Sequence, residues 1–88
     1  QSRNIMIRKI QAERIIINES DSITIESCIF EKYNQPLFLK DSSDVLILSN
    51  IFKNMNIAIV LKSTVIDIAS LLSNNNFESV QNKIRNLQ

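Results

Sequence analysis

Short apolar runs bounded by polar residues recur along this chain: "IMI" from Ile5, "III" from Ile15, "ITI" from Ile23, "LFL" from Leu37, "VLI" from Val45 and "IAIVL" from Ile57. Side chains two residues apart share one face of a strand, so each run predicts a short β-strand with one apolar face. The residues are mostly β-branched or aromatic, which suits a pleated surface. Clusters of Ser, Asn, Asp and Lys separate the runs and read as turns.

The runs are copies of one another. Ser20 to Lys40, "SDSITIESCIFEKYNQPLFLK", lies over Ser42 to Lys62, "SSDVLILSNIFKNMNIAIVLK", at an offset of 22. The offset pairs Ile23 with Val45, Ile25 with Ile47, Phe30 with Phe52, Tyr33 with Met55, Leu37 with Ile59 and Leu39 with Leu61. A third copy follows at 25, matching Phe52 to Phe77, Asn50 to Asn75, Ile47 to Leu72, Met55 to Val80 and Ile59 to Ile84. The three extra residues fall within "KSTVIDIAS". Upstream, Ile15 and Ile17 precede Leu37 and Leu39 by 22, while Ile5 and Ile7 precede Ile23 and Ile25 by 18. This predicts a first copy with a shorter connection after its first strand. The tail, Phe77 to Gln88, has helical spacing at Phe77, Val80, Ile84 and Leu87, but repeat phase makes it another strand. A unit this small buries its apolar face only by stacking on its neighbours.

Two repeat architectures compete. "VLILSNIF" (Val45 to Phe52) and "ITIESCIF" (Ile23 to Phe30) fit the core of a leucine-rich repeat. That repeat also wants an apolar residue where Ser20, Ser42 and Asp67 stand, and an irregular or helical convex side. Here a second alternating pair occupies that side, which favours a parallel β-helix. "SSDVLILSNIFKNMNIAIVLK" resembles the repeat of right-handed parallel β-helix proteins, the pectin-lyase-like group. The expected fold is therefore an all-β, right-handed parallel β-helix (solenoid) of about four coils of roughly 22 residues over 1–88, and a segment of a longer solenoid. The resemblance is specific for fold and not for activity. The group places Gly before its second strand, where this chain has Gln35-Pro36 and Ile57-Ala58.

Stacking predicts inward columns Ile7–Ile25–Ile47–Leu72, Phe30–Phe52–Phe77, Leu37–Ile59–Ile84 and Ile17–Leu39–Leu61. Cys28, Asn50 and Asn75 form one further column. The resemblance implies that its asparagines bond to one another and to backbone along the axis. Glu31, Lys53 and Glu78 form an outward column of alternating sign, and Lys40 lies over Lys62.

Composition narrows the chemistry. The chain has 88 residues and a net charge of +1, so nothing points to nucleic acid. With no glycine, turns at positive φ fall to Asn and Asp. No histidine is present and Cys28 is the one cysteine, which excludes an internal disulfide and the usual zinc ligand sets. No uncharged stretch is long enough to span a bilayer. A small acidic corner of Glu19, Asp21, Asp41 and Asp44 is the one candidate for a weak cation site. "NES" from Asn18 is a possible glycosylation acceptor, and Arg3, Arg8, Lys9 and Arg14 make a mildly basic region.

Many carbohydrate-active enzymes share the resembling fold, and glycoside hydrolysis needs converging carboxylates. No such set is visible, so the expectation is a non-enzyme without catalytic residues, metal or cofactor. The expected role is a structural or interaction segment that meets a protein partner or neighbouring coils at its flat faces or open ends. The alternatives are a non-catalytic part of a polysaccharide-acting enzyme, with carbohydrate contact, and a leucine-rich recognition module. An extracellular or cell-surface location follows only from the resemblance.

Overall fold

The structure is a computed structural model that describes residues 2–31 and 34–87, with side chains from Ile5 onward. The described residues form β1 (Ser2–Arg8), β2 (Gln11–Ala12), β3 (Ile15–Asn18), β4 (Ser20–Glu26), β5 (Ile29–Glu31), β6 (Leu37–Lys40), β7 (Ser43–Leu48), β8 (Ile51–Lys62), α1 (Ile68–Ser73) and β9 (Asn76–Leu87). Strands β1, β4 and β7 make one parallel sheet, sheet A. Strands β2, β5, β8, β6, β3 and β9 make a second, sheet B, also parallel throughout. Each of the first three coils crosses sheet A once and then both wings of sheet B; in the fourth, α1 precedes the sheet B strand. In the third and fourth coils the two wings are a single long strand, β8 or β9. The molecule is a parallel β-solenoid of about four turns. Strands on every side set aside the leucine-rich alternative, which needs a non-strand convex face. The tail is strand β9, as repeat phase requires.

Register follows the repeat. Ile23 pairs with Val45, Phe30 with Phe52 and Leu37 with Ile59 at 22, and β8 pairs with β9 at 25. The first coil is short in the connection after its first strand, as the offsets predict, and the structure narrows the place. The offset is still 18 at Ala12 and Phe30, past the second strand, and becomes 22 at Ile15 and Leu37. The four missing residues therefore belong to the corner between β2 and β3. A turn between wings of one sheet loses residues without shifting either strand's register.

The inward columns form the core. Phe30, Phe52 and Phe77 stack with ring centroids 4.9 and 5.2 Å apart and rings within 7° and 10° of parallel. This is the interstrand spacing of a sheet carried into the side chains. Ile25, Phe30, Leu37, Leu39, Phe52, Ile59 and Leu61 are all buried, whereas Ile5, Ile7, Ala12 and Ile15 at the lower end and Phe77, Val80 and Ile84 at the upper end are only partly buried. Tyr33 lies outside the described residues.

Leu72 does not join the Ile7–Ile25–Ile47 column. Its side chain is exposed, and Leu71, one residue earlier, is buried instead. The reason lies in "TVIDIASLLS". Continuing at 22 would turn Asp67 and Ala69 inward beside Val45 and Ile47; continuing at 25 would turn Ser70 and Leu72 inward. Neither strand buries two large apolar side chains. One helical turn does better, packing Leu71, Ile66 and Ile68 against the core. Asp67 caps it, accepting from Ser70 N–H, and Asn74 N–H closes it on Ser70 C=O. Helix α1 thus ends sheet A at three strands while sheet B continues.

The corners depart from expectation. Eleven of the described residues have positive φ, between 50° and 57°, and among these only Asp41, Asp44 and Asn54 are Asp or Asn. The others are Lys9, Glu19, Ser22, Ser27, Gln35, Ser49, Ser63 and Ser79. They recur with the coil, as Lys9–Ser27–Ser49 and Glu19–Asp41–Ser63. Left-handed backbone costs an L-residue roughly 1–2 kcal/mol. Stacked corners hold it through axial hydrogen bonds: Lys9 N–H to Glu26 C=O, Ser27 N–H to Leu48 C=O and Ser49 N–H to Asn74 C=O. Coil geometry overrides residue preference here. Gln35 meets the turn the resembling group gives to Gly, while Ile57 and Ala58 remain strand.

Candidate functional site

Two ladders of side chains run along the axis. The first contains Cys28, Asn50 and Asn75, at the corner between sheets A and B. Cys28 N–H donates to Asn50 Oδ1 at 2.9 Å, and Asn50 N–H to Asn75 Oδ1 at 3.0 Å. The amide groups donate the other way, Asn50 Nδ2 to Ile25 C=O at 3.0 Å and Asn75 Nδ2 to Ile47 C=O at 2.9 Å. Cys28 keeps only a weak version of this bond, Sγ to Ile7 C=O at 3.8 Å. An amide carries both a donor and an acceptor, which is why asparagine can extend such a ladder. Cys28 is buried within it.

The second ladder, Ser20, Ser42 and Thr64, escaped the sequence reading. It sits at the opposite corner. Ser20 N–H donates to Ser42 Oγ at 3.4 Å and Ser42 N–H to Thr64 Oγ1 at 3.3 Å. Each hydroxyl also closes on the carbonyl two residues back, Asn18, Lys40 or Lys62. The signal was present as serine over serine, followed by threonine, at an offset of 22.

The remaining candidates separate. Glu19, Asp21 and Asp41 line an open pocket of about 240 Å³ with Ser20 and Ser43. Asp44 lies apart, accepting from Ser22 Oγ at 3.1 Å. Among the described residues no group of three acidic, His or Cys side chains is placed to hold a metal. Glu31, Lys53 and Glu78 are register partners but form no ion pair among the described residues. Of the basic residues, Arg8 pairs with Glu26 at 3.0 Å and Arg14 donates to Asn34 C=O at 3.0 Å; the Arg3 side chain lies outside the described residues. Asn18 is exposed, while the Ser20 hydroxyl two residues on is engaged with Asn18 C=O. Among the described residues no helix is long and apolar enough to cross a membrane.

What remains is the upper end. There β9 offers twelve residues of strand with no further strand beyond them among the described residues. Phe77, Val80 and Ile84 turn toward the core but are only half covered. Lys83 Nζ stands 5.6 Å from the Phe77 ring centroid. No family model, curated protein or solved structure matches this chain.

Proposed function

We propose that the chain is a structural or interaction segment of an elongated β-solenoid of the pectin-lyase-like kind, and that it contacts other chains through its open upper end. The observation carrying this reading is the twelve-residue strand β9, paired with β8 on one edge and with no strand on the other among the described residues, with half-covered Phe77, Val80 and Ile84 beneath it. An open strand edge binds another strand through main-chain hydrogen bonds, with side-chain pockets setting preference. The inward Asn50 and Asn75 ladder supports the kinship, since the resembling group uses inward asparagines at the same kind of corner.

Panning displayed peptides against the protein tests this reading. Selected peptides should slow amide exchange along β9, and Val80→Lys with Ile84→Lys should abolish their binding. Binding of polysaccharide on a glycan array, with β9 amides exchanging as before and no peptide selected, would favour the carbohydrate alternative and overturn this one.

A further inference from the structure

Each strand above the first coil is bonded along its length to the coil beneath it. One stretch is not. At its start, Thr64 Oγ1 accepts from Ser42 N–H; at its end, Asn74 C=O accepts from Ser49 N–H. Between these points, among the described residues, no main-chain bond joins 65–73 to β7. The gap lies between β7 and α1, both inside the chain, so a further coil stacking above α1 would leave it in place.

The β7 edge has main-chain groups facing that gap. Ile47 C=O accepts from Asn75 Nδ2, so Ile47, and Val45 two residues before it, turn their main chain toward α1. Leu46 and Leu48 turn the other way and bond to β4; Leu48 C=O accepts from Ser27 N–H. Among the described residues, Val45 N–H and Ile47 N–H meet no acceptor in α1. A cleft of about 90 Å³, with Val45, Ile47, Ile66, Asp67 and Leu71 in its walls, admits water to them.

Helix α1 is held lightly. Leu71 is its one buried residue, while Ala69, Leu72 and Ser73 face solvent. Its cap bond, Ser70 N–H to Asp67 Oδ1, is exposed and 3.3 Å long. So short a helix is not stable alone. Its two ends are fixed more firmly, one by each ladder. Thr64 also donates to Leu39 C=O, and Asn75 bonds Asn50 and Ile47. A single bond ties the helix to the second anchor, Asn75 Nδ2 to Leu71 C=O at 2.8 Å.

We infer that residues 65–73 form a hinged flap. It closes over the β7 edge and swings away as one unit about Thr64 and Asn74, while β9 and the coils beneath stay stacked. Opening bares a strand edge in the middle of the chain that the closed flap withholds from pairing. Segments with few buried contacts open before the global fold does, and this one is clamped only at its ends.

Amide exchange of the full chain, followed by NMR at low urea concentrations, tests the flap. The Leu71 and Asn74 amides, which donate to Asp67 C=O and Ser70 C=O, report its opening. They should be protected, yet exchange about 10-fold or more faster than Leu46 and Leu48 and with little dependence on urea. Val45 and Ile47 should also exchange faster than Leu46 and Leu48. Two variants separate the flap from the whole fold. Ile25→Val, in β4 and separated from α1 by β7, should speed Leu46 and Leu48 about 2- to 10-fold and leave Leu71 and Asn74 unchanged. Asp67→Ala, which removes the exposed cap, should speed Leu71 and Asn74 together by about 5-fold. If Leu71 and Asn74 follow Leu46 and Leu48 in rate, urea slope and response to Ile25→Val, the segment opens only with the whole fold and the inference is overturned. Unprotected Leu71 and Asn74 amides, or unequal responses of the two to Asp67→Ala, overturn it as well, because the segment is then open at rest or merely frays at one end.

Discussion

Asn50 is the most informative residue to perturb. It is fully buried, and its side chain bonds two other buried groups: Cys28 N–H at 2.9 Å and Ile25 C=O at 3.0 Å. Its Nδ2 also donates to Asn75 Oδ1 at 3.0 Å. Asn50→Ala removes both bonds and the Asn75 contact in a dry corner, at about 1–3 kcal/mol for each group that loses its partner. The expected loss is about 3–5 kcal/mol, against a total of roughly 4–13 kcal/mol for a chain of this size. Asn50→Asp is the sharper variant. It keeps the acceptor for Cys28 but sets carboxylate oxygens against Ile25 C=O and Asn75 Oδ1. The folded state then favours the protonated acid, so the carboxyl pKa is raised on folding and the variant gains stability as pH falls. Urea unfolding followed by circular dichroism measures both, with Asn56→Ala as control. Asn56 is exposed and, among the described residues, accepts only from Asn82, so its loss should cost under about 0.5 kcal/mol. If Asn50→Ala costs no more than Asn56→Ala, or if Asn50→Asp loses stability from pH 7 to pH 4 relative to the parent, the ladder is not a source of stability.

Three further outcomes are expected. Leu71→Ala should cost about 2–4 kcal/mol and Leu72→Ala under about 0.5, since only the former is buried; the reverse order in urea melts would restore a strand where α1 stands. Ser49→Gly should raise stability by about 0.5–1 kcal/mol because Ser49 has φ 57°, and a loss of stability would contradict the left-handed corner. Cys28→Asn should strengthen the ladder by about 1 kcal/mol, replacing a 3.8 Å thiol contact with an amide bond, and a lower urea midpoint would show that the corner cannot hold an amide.

Much of the architecture was legible because stacked strands must repeat their apolar phase. The phenylalanine column, the Leu37–Ile59–Ile84 column and the strand character of Phe77 to Leu87 followed from offsets alone. The misses have physical causes. Leu72 failed because repeat phase was carried through an insertion whose polar residues, Asp67 and Ser70, would have turned inward. The corner residues were misjudged because intrinsic preference was weighed without the axial hydrogen bonds that hold Ser27, Ser49 and Lys9 in left-handed backbone. The hydroxyl ladder was overlooked because serine in a turn ordinarily signals solvent, whereas Ser20 and Ser42 are buried. The open upper end could be read only after sheet topology showed where sheet A stops.

The most direct test of the stacked-coil account is a nuclear Overhauser spectrum of protein labelled on its phenylalanine rings. The account predicts strong ring-to-ring peaks for Phe30–Phe52 and Phe52–Phe77, residues 22 and 25 apart in sequence, and none for Phe30–Phe77. Absence of the first two peaks from a folded sample, or a direct Phe30–Phe77 peak, would contradict it.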